Sequence, residues 1–79
     1  MNKTKQTEQK EIRRVKLGDT QDLVVSIVDD EKVDLRVFLN TDSYKGPTKR
    51  GVRFYLFDDN WTEFKKLIDK VDKAYQEIP

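Results

Sequence analysis

Within the twelve residues Lys45-Gly46-Pro47-Thr48-Lys49-Arg50-Gly51-Val52-Arg53-Phe54-Tyr55-Leu56 stand four cations, two glycines, a proline and two aromatic rings. Ammonium and guanidinium groups neutralise phosphates, and flat rings stack on unpaired bases. Basic grooves interleaved with aromatics therefore suit single-stranded nucleic acid. Arg36 and Phe38 show the same pairing of charge and ring as Arg53 and Tyr55, seventeen residues earlier. Few other chemistries are open. The chain has neither Cys nor His, which excludes thiolate metal sites, the usual zinc and haem ligation and an imidazole base. Ser26 and Ser43 thus have no imidazole to activate them, and a Ser-His-Asp triad is excluded. Asp29, Asp30 and Glu31 could form a cation site or an acid pair, but a charged hairpin tip is their ordinary explanation. No EF-hand spacing and no Gly-rich phosphate motif is present. The expectation is a protein that is not an enzyme and needs no cofactor or metal.

Elements that position such a face can be read from periodicity. Val33-Asp34-Leu35-Arg36-Val37-Phe38-Leu39 alternates cleanly. Val33, Leu35, Val37 and Leu39 share one side, and Asp34, Arg36 and Phe38 the other. The β-branched stretch 22–28 precedes it across the short charged connection 29–32, which makes an antiparallel hairpin. Residues 11–17 alternate as a further strand, with Arg14 and Lys16 on the same side. Residues 40–49 read as a loop, and 50–57 as the next strand. On that strand Val52, Phe54 and Leu56 oppose Arg53, Tyr55 and Phe57. The period then changes. Trp61, Phe64, Ile68, Val71, Tyr75 and Ile78, widened by Leu67 and Ala74, form one apolar stripe of a helix. Asp58, Asp59 and Asn60 open it, with Glu63 three residues after Asn60 as in a capping box.

The pattern predicts an α+β fold: a curved four-stranded antiparallel sheet followed by one C-terminal helix, β-β-β-β-α. The helix is expected to cover the aliphatic sheet face of Val33, Leu35, Val37, Val52, Phe54 and Leu56. Arg36, Phe38, Arg53 and Tyr55 are then left on the open face. Arg14, Lys16, Lys45, Lys49 and Arg50 extend the positive field there, while Gly46 and Gly51 allow a sharp turn or a close approach. The plainer reading stays beside this one. Exposed strand cations also keep a sheet soluble, and Phe38 with Tyr55 could form a cross-strand pair or an interface.

At 79 residues the chain is one domain with a modest core; 35% of it is hydrophobic and 39% charged. Residues 1–10 are polar and aperiodic, and are expected to be a disordered basic tail, with the folded domain spanning 11–79. Net charge is only +1, but it is blocked along the sequence: +4 over residues 1–16, −4 over 17–40, +3 over 41–57 and −2 over 58–79. The apolar runs are too short for a membrane span and the start lacks an apolar signal core. The expected setting is intracellular, with no membrane and no small-molecule substrate. Because a small core is marginal alone and the helix stripe has seam-like spacing, a two-fold dimer is expected, with Trp61, Phe64, Leu67, Ile68 and Val71 as its core and interface.

From about Leu17 to Ile78 the order of features resembles the positive cofactor four family of transcription coactivators, which bind single-stranded DNA. Four pieces carry the likeness in sequence: Val25-Ser26-Ile27; Val33-Asp34-Leu35-Arg36 followed by Phe38; Lys49-Arg50-Gly51-Val52 after a Lys/Pro/Gly loop; and Asp58-Asp59-Asn60-Trp61 opening the helix. The resemblance implies a compact dimer of curved sheets backed by helices, with Arg36, Phe38, Lys49 and Arg50 at positions that match the binding motif. It also implies a role on unpaired strands in transcription, replication or recombination, with the transcription or replication machinery as candidate partners. An RNA-binding module and a small adaptor docking an acidic protein partner are the alternatives. Four departures stand out. The first hairpin tip is short and acidic, without the family's ring and lysines. Leu39 stands where the family has Trp. The segment leading into the last strand is about two residues longer. A short Lys/Gln tail replaces a Ser-rich one, which suits a bacterial or phage setting (cytoplasm or nucleoid) better than a nuclear one.

Overall fold

A computed structural model describes residues 8–79. Four strands, β1 (Gln9–Lys16), β2 (Gln21–Val28), β3 (Lys32–Asn40) and β4 (Lys45–Tyr55), precede a single helix, α1 (Asn60–Gln76). The strands form one antiparallel sheet in the order β1-β2-β3-β4, so each pairs with its neighbour in sequence. Most of the tail expected at residues 1–10 lies outside the described residues. Its last two residues do not belong to a tail, because β1 begins at Gln9 and pairs Gln9 with Val28 and Lys10 with Ile27. A partner strand supplied that pairing, which local composition could not announce.

Direct pairs across antiparallel strands share a face. Leu23, Val25 and Ile27 of β2 stand beside Val37, Leu35 and Val33 of β3, and the last two beside Val52 and Phe54 of β4. This is the aliphatic face. The other face carries Arg14 and Lys16 of β1, Asp22, Val24, Ser26 and Val28 of β2, Lys32, Asp34, Arg36 and Phe38 of β3, and Arg53 and Tyr55 of β4. Val24 and Val28 are fully buried on this polar side, as is Val33 on the aliphatic side. Val24 is flanked directly by Arg14 and Arg36, whose long hydrocarbon stems suit them to shield it.

Two irregularities interrupt the ladder. On β1, Glu11 pairs with Ser26 and Arg13 with Val25, so Ile12 is an extra residue. On β4, Gly51 opposes Arg36 while Pro47 opposes Phe38. Two steps on β3 therefore face four on β4. Such bulges bend a strand and strengthen its twist. The expectation that residues 40–49 are loop is corrected here: only 41–44 are, and Lys45 to Lys49 belong to β4. Gly, Pro and Thr suggest a loop in isolation. An edge strand with a bulge tolerates the missing N–H of Pro47. Downstream of Gly51 the register is regular.

Tight turns use left-handed aspartates. Asp29 and Asp30 have φ of 54° and 58° at the β2–β3 tip, a conformation that Asp tolerates better than most side chains. Asp29 Oδ1 also accepts the Glu8 N–H at 2.7 Å, which fixes the start of β1. Asp58 and Asp59 have φ of 58° and 67° before the helix. Asp59 is the residue that caps α1, and no side-chain bond is made there. The expected Asn60–Glu63 capping box is therefore absent: Asn60 is already helical, and a left-handed cap residue does not present its carboxylate to the first turn.

The helix departs from expectation in a larger way. It packs against β4 alone among the described strands, through Phe54 and Phe64 with ring centroids 5.3 Å apart, and Trp61 against Phe64 at 5.6 Å. It does not cover the aliphatic face. β4 is the sheet edge, and the chain leaving it carries the helix outward. Leu67, Ile68, Val71, Tyr75 and Ile78 are all at least half exposed. The described chain is one layer thick, 60 × 40 × 18 Å. No helix among the described residues is long and apolar enough to cross a membrane.

Candidate nucleic-acid interface

The polar face is organised around one carboxylate. Asp34 is 1% exposed and lies directly opposite Arg53. Arg36 grips it twice, Nη2 donating to Oδ1 at 2.8 Å and Nε to Oδ2 at 3.1 Å. Arg53 Nε donates to the same Oδ1 at 3.2 Å. Burial alone would raise the Asp34 pKa, but the hydrogen bonds and charges of the two guanidiniums outweigh it and hold the carboxyl below the ordinary range. The same pair raises the pKa of Arg36. Nη1 of Arg36 donates to the Thr48 carbonyl at 3.0 Å. Thr48 Oγ1 donates to the Val37 carbonyl at 2.7 Å and accepts the Arg50 N–H at 3.1 Å. The bulged part of β4 is thus sewn to β3 by Arg36 and Thr48.

Beside this knot lies an open cleft of about 630 Å³, lined by Arg36, Phe38, Tyr44, Pro47, Lys49 and Arg53, with Gln9, Asp34 and Thr48 completing it. Gln9 belongs to β1 and Arg53 to β4, so side chains from both sheet edges reach one hollow and the polar face is concave. Phe38 is its central ring. Arg14 holds its guanidinium 5.0 Å from that ring centroid, a cation–π distance. Arg14 is also tied to Glu11 at 3.0 Å and Asp22 at 3.2 Å, which raises its pKa and lowers that of Glu11.

The expected site residues divide accordingly. Arg36, Phe38, Lys49 and Arg53 meet at the cleft. Arg14 joins them through Phe38, and Lys16 is on the same face opposite Asp22. Lys45 pairs with Asn40 at the far end of β4. Two residues fall away from the group. Arg50 does not line the cleft, and strand alternation from Gly51 turns it to the other side. Tyr55 sits at the opposite end of β3, with Lys32 Nζ 5.0 Å from its ring centroid and the Phe57 ring at 6.3 Å. The helix residues Trp61 and Phe64 are half-buried on β4, whereas Leu67, Ile68 and Val71 are exposed. Gly51 approaches β3 rather than a ligand: a Cβ there would lie 2.3 Å from the Leu35 carbonyl oxygen. Tyr44, Thr48 and Lys32 were missing from the sequence expectation. Tyr44 had no strand to give it a face, and its only signal was a ring beside Lys45 in a Gly/Pro-flanked turn.

Comparison with family models, with curated proteins and with solved structures gave no match for this chain.

Proposed function

We propose that this protein binds single-stranded DNA, largely independently of sequence and without catalysing a reaction, and acts as a two-fold dimer in transcription, replication or recombination. The observation that supports this most is the cleft on the polar face, lined by Arg36, Arg53, Lys49 and Phe38, with the Arg14 guanidinium over the Phe38 ring. Cations at a rim and rings within fit a strand whose phosphates and bases are both exposed. Carboxylates on the same face moderate the field. Asp34, Glu11 and Asp22 are each held by an arginine, which favours orientation over raw charge. Dimerisation is supported by a separate observation: the helix exposes Leu67, Ile68, Val71, Tyr75 and Ile78 and leaves the aliphatic sheet face without a covering layer.

The test is fluorescence anisotropy with single- and double-stranded DNA and with RNA of matched length, at two salt concentrations. Single-stranded DNA should bind more tightly than duplex. With about four to six phosphates neutralised per site, the logarithmic salt slope should be roughly −3 to −4. Arg53→Ala and Lys49→Ala should weaken binding without changing the far-UV circular dichroism spectrum. Equal affinity for duplex, or wild-type affinity in both variants, would overturn this assignment of the face. Tighter binding to RNA would move the reading to RNA.

A further inference from the structure

The geometry points to a pocket for a single unpaired nucleobase, formed by the plane of Arg36 and the rings of Phe38 and Tyr44, with Arg53 and Lys49 taking the adjoining phosphate. This rests on the single-strand reading above and adds a site to it.

Arg36 and Arg53 share Asp34 but are left with different capacities. All three nitrogens of Arg36 donate to the protein, Nε and Nη2 to Asp34 and Nη1 to the Thr48 carbonyl. Its orientation is fixed, although each terminal nitrogen keeps a second N–H. What it offers to the cleft is a flat cationic face, and guanidinium planes stack on bases as aromatic rings do. Arg53 is tied only through Nε. Its two terminal nitrogens have no partner among the described residues, and its side chain is 41% exposed. That is the arrangement of a phosphate ligand, able to present a fork of donors.

Tyr44 closes the other side. Its hydroxyl donates to the Pro47 carbonyl, and its backbone N–H and carbonyl are both held by Thr41. The ring is therefore pinned across the β3–β4 turn. Gly46, with φ of 147°, lets the main chain wrap this ring, and a Cβ there would come within 3.4 Å of the hydroxyl. The acceptors of Asp34 are occupied by arginines, so the cleft has flat surfaces within and cationic donors at its mouth. A purely apolar ligand would leave the cations unused, and an anion without a flat portion would leave the Phe38 and Tyr44 rings unused.

The experiment compares a short oligothymidylate with an abasic oligomer of equal length, which keeps the phosphates and lacks the bases. Anisotropy titrations use wild type, Tyr44→Ala, Tyr44→Phe and Arg53→Ala, each checked for folding by circular dichroism. Wild type should prefer oligothymidylate by about fivefold or more. Tyr44→Ala should lose about fivefold on oligothymidylate, with its abasic affinity and its salt slope unchanged. Tyr44→Phe should keep the preference for oligothymidylate with a smaller loss than Tyr44→Ala, because the ring supplies the stack and the hydroxyl only helps to hold it. Arg53→Ala should weaken both oligomers by one factor and flatten the salt slope by about 0.7. The pocket is overturned if wild type does not discriminate, or if Tyr44→Ala affects both oligomers alike or neither, while oligothymidylate still binds. If wild type binds neither oligomer even at low salt, the single-strand reading itself fails and the pocket falls with it.

Discussion

Asp34 shows what one buried charge does for a small sheet. Its carboxylate accepts from two arginines on two strands, so it joins β3 to β4 by side chains where the backbone ladder is about to be interrupted. Replacing it with Asn removes the negative charge and one of the two acceptor oxygens, which leaves two guanidiniums facing each other uncompensated. Asp34→Asn should therefore lower stability by about 2 kcal/mol, since hydrogen bonds to charged groups are each worth more than neutral ones; urea denaturation measures it. The pH dependence has a definite sign. The folded carboxyl has a lowered pKa, so its contribution is fully present above the unfolded value and is lost as pH falls through the folded one. Acid titration of the wild type should show a loss of stability that starts below about pH 4 and that Asp34→Asn lacks. Sequence alternation set Asp34 beside Arg36 on the polar side. The Arg53 contact was not readable there, because it depends on the pairing of β3 with β4.

Among the elements, β2 and β3 were the most legible. Their β-branched alternation extends over whole strands, and the observed bounds differ from those expected by a residue at most. The helix was legible for the same reason at the other period. β4 was legible only from Arg50 onward, because Lys45-Gly46-Pro47-Thr48-Lys49 carries no hydrophobic period and is held by β3, by Arg36 and by its own bulge. The candidate site suffered most from this, since Tyr44, Thr48 and Lys49 take their places through that part of β4. At Gly51 the backbone of β3 leaves no room for a side chain. Gly51→Ala forces a methyl group against the Leu35 carbonyl and the Arg36 backbone, a misfit costing about 2 kcal/mol or more. The expected result is a lower midpoint in thermal denaturation, together with weaker oligonucleotide binding because Arg36 shifts with its strand.

For the molecule as a whole, thickness is the governing quantity. A single layer 18 Å deep cannot enclose the aliphatic face, and the helix that sequence periodicity assigned to that task touches only the edge strand. The proposed dimer provides the missing layer, and its signature is a melting temperature that rises with protein concentration. Leu67→Glu separates the cases. Leu67 is 56% exposed in the isolated chain, where a surface change should alter stability by less than about 0.5 kcal/mol. In a dimer it should cost several times that, and sizing chromatography should show the variant eluting as a monomer.

The surplus pair of residues on β4 between Pro47 and Gly51 has a consequence of its own. A chain trimmed by two there could pair its last two strands without a break. It would also flatten the hollow that gathers Phe38, Lys49 and Arg53. Natural shortening of that segment should therefore yield a sturdier scaffold that has lost its grip, and lengthening it elsewhere along the edge would not restore what was removed.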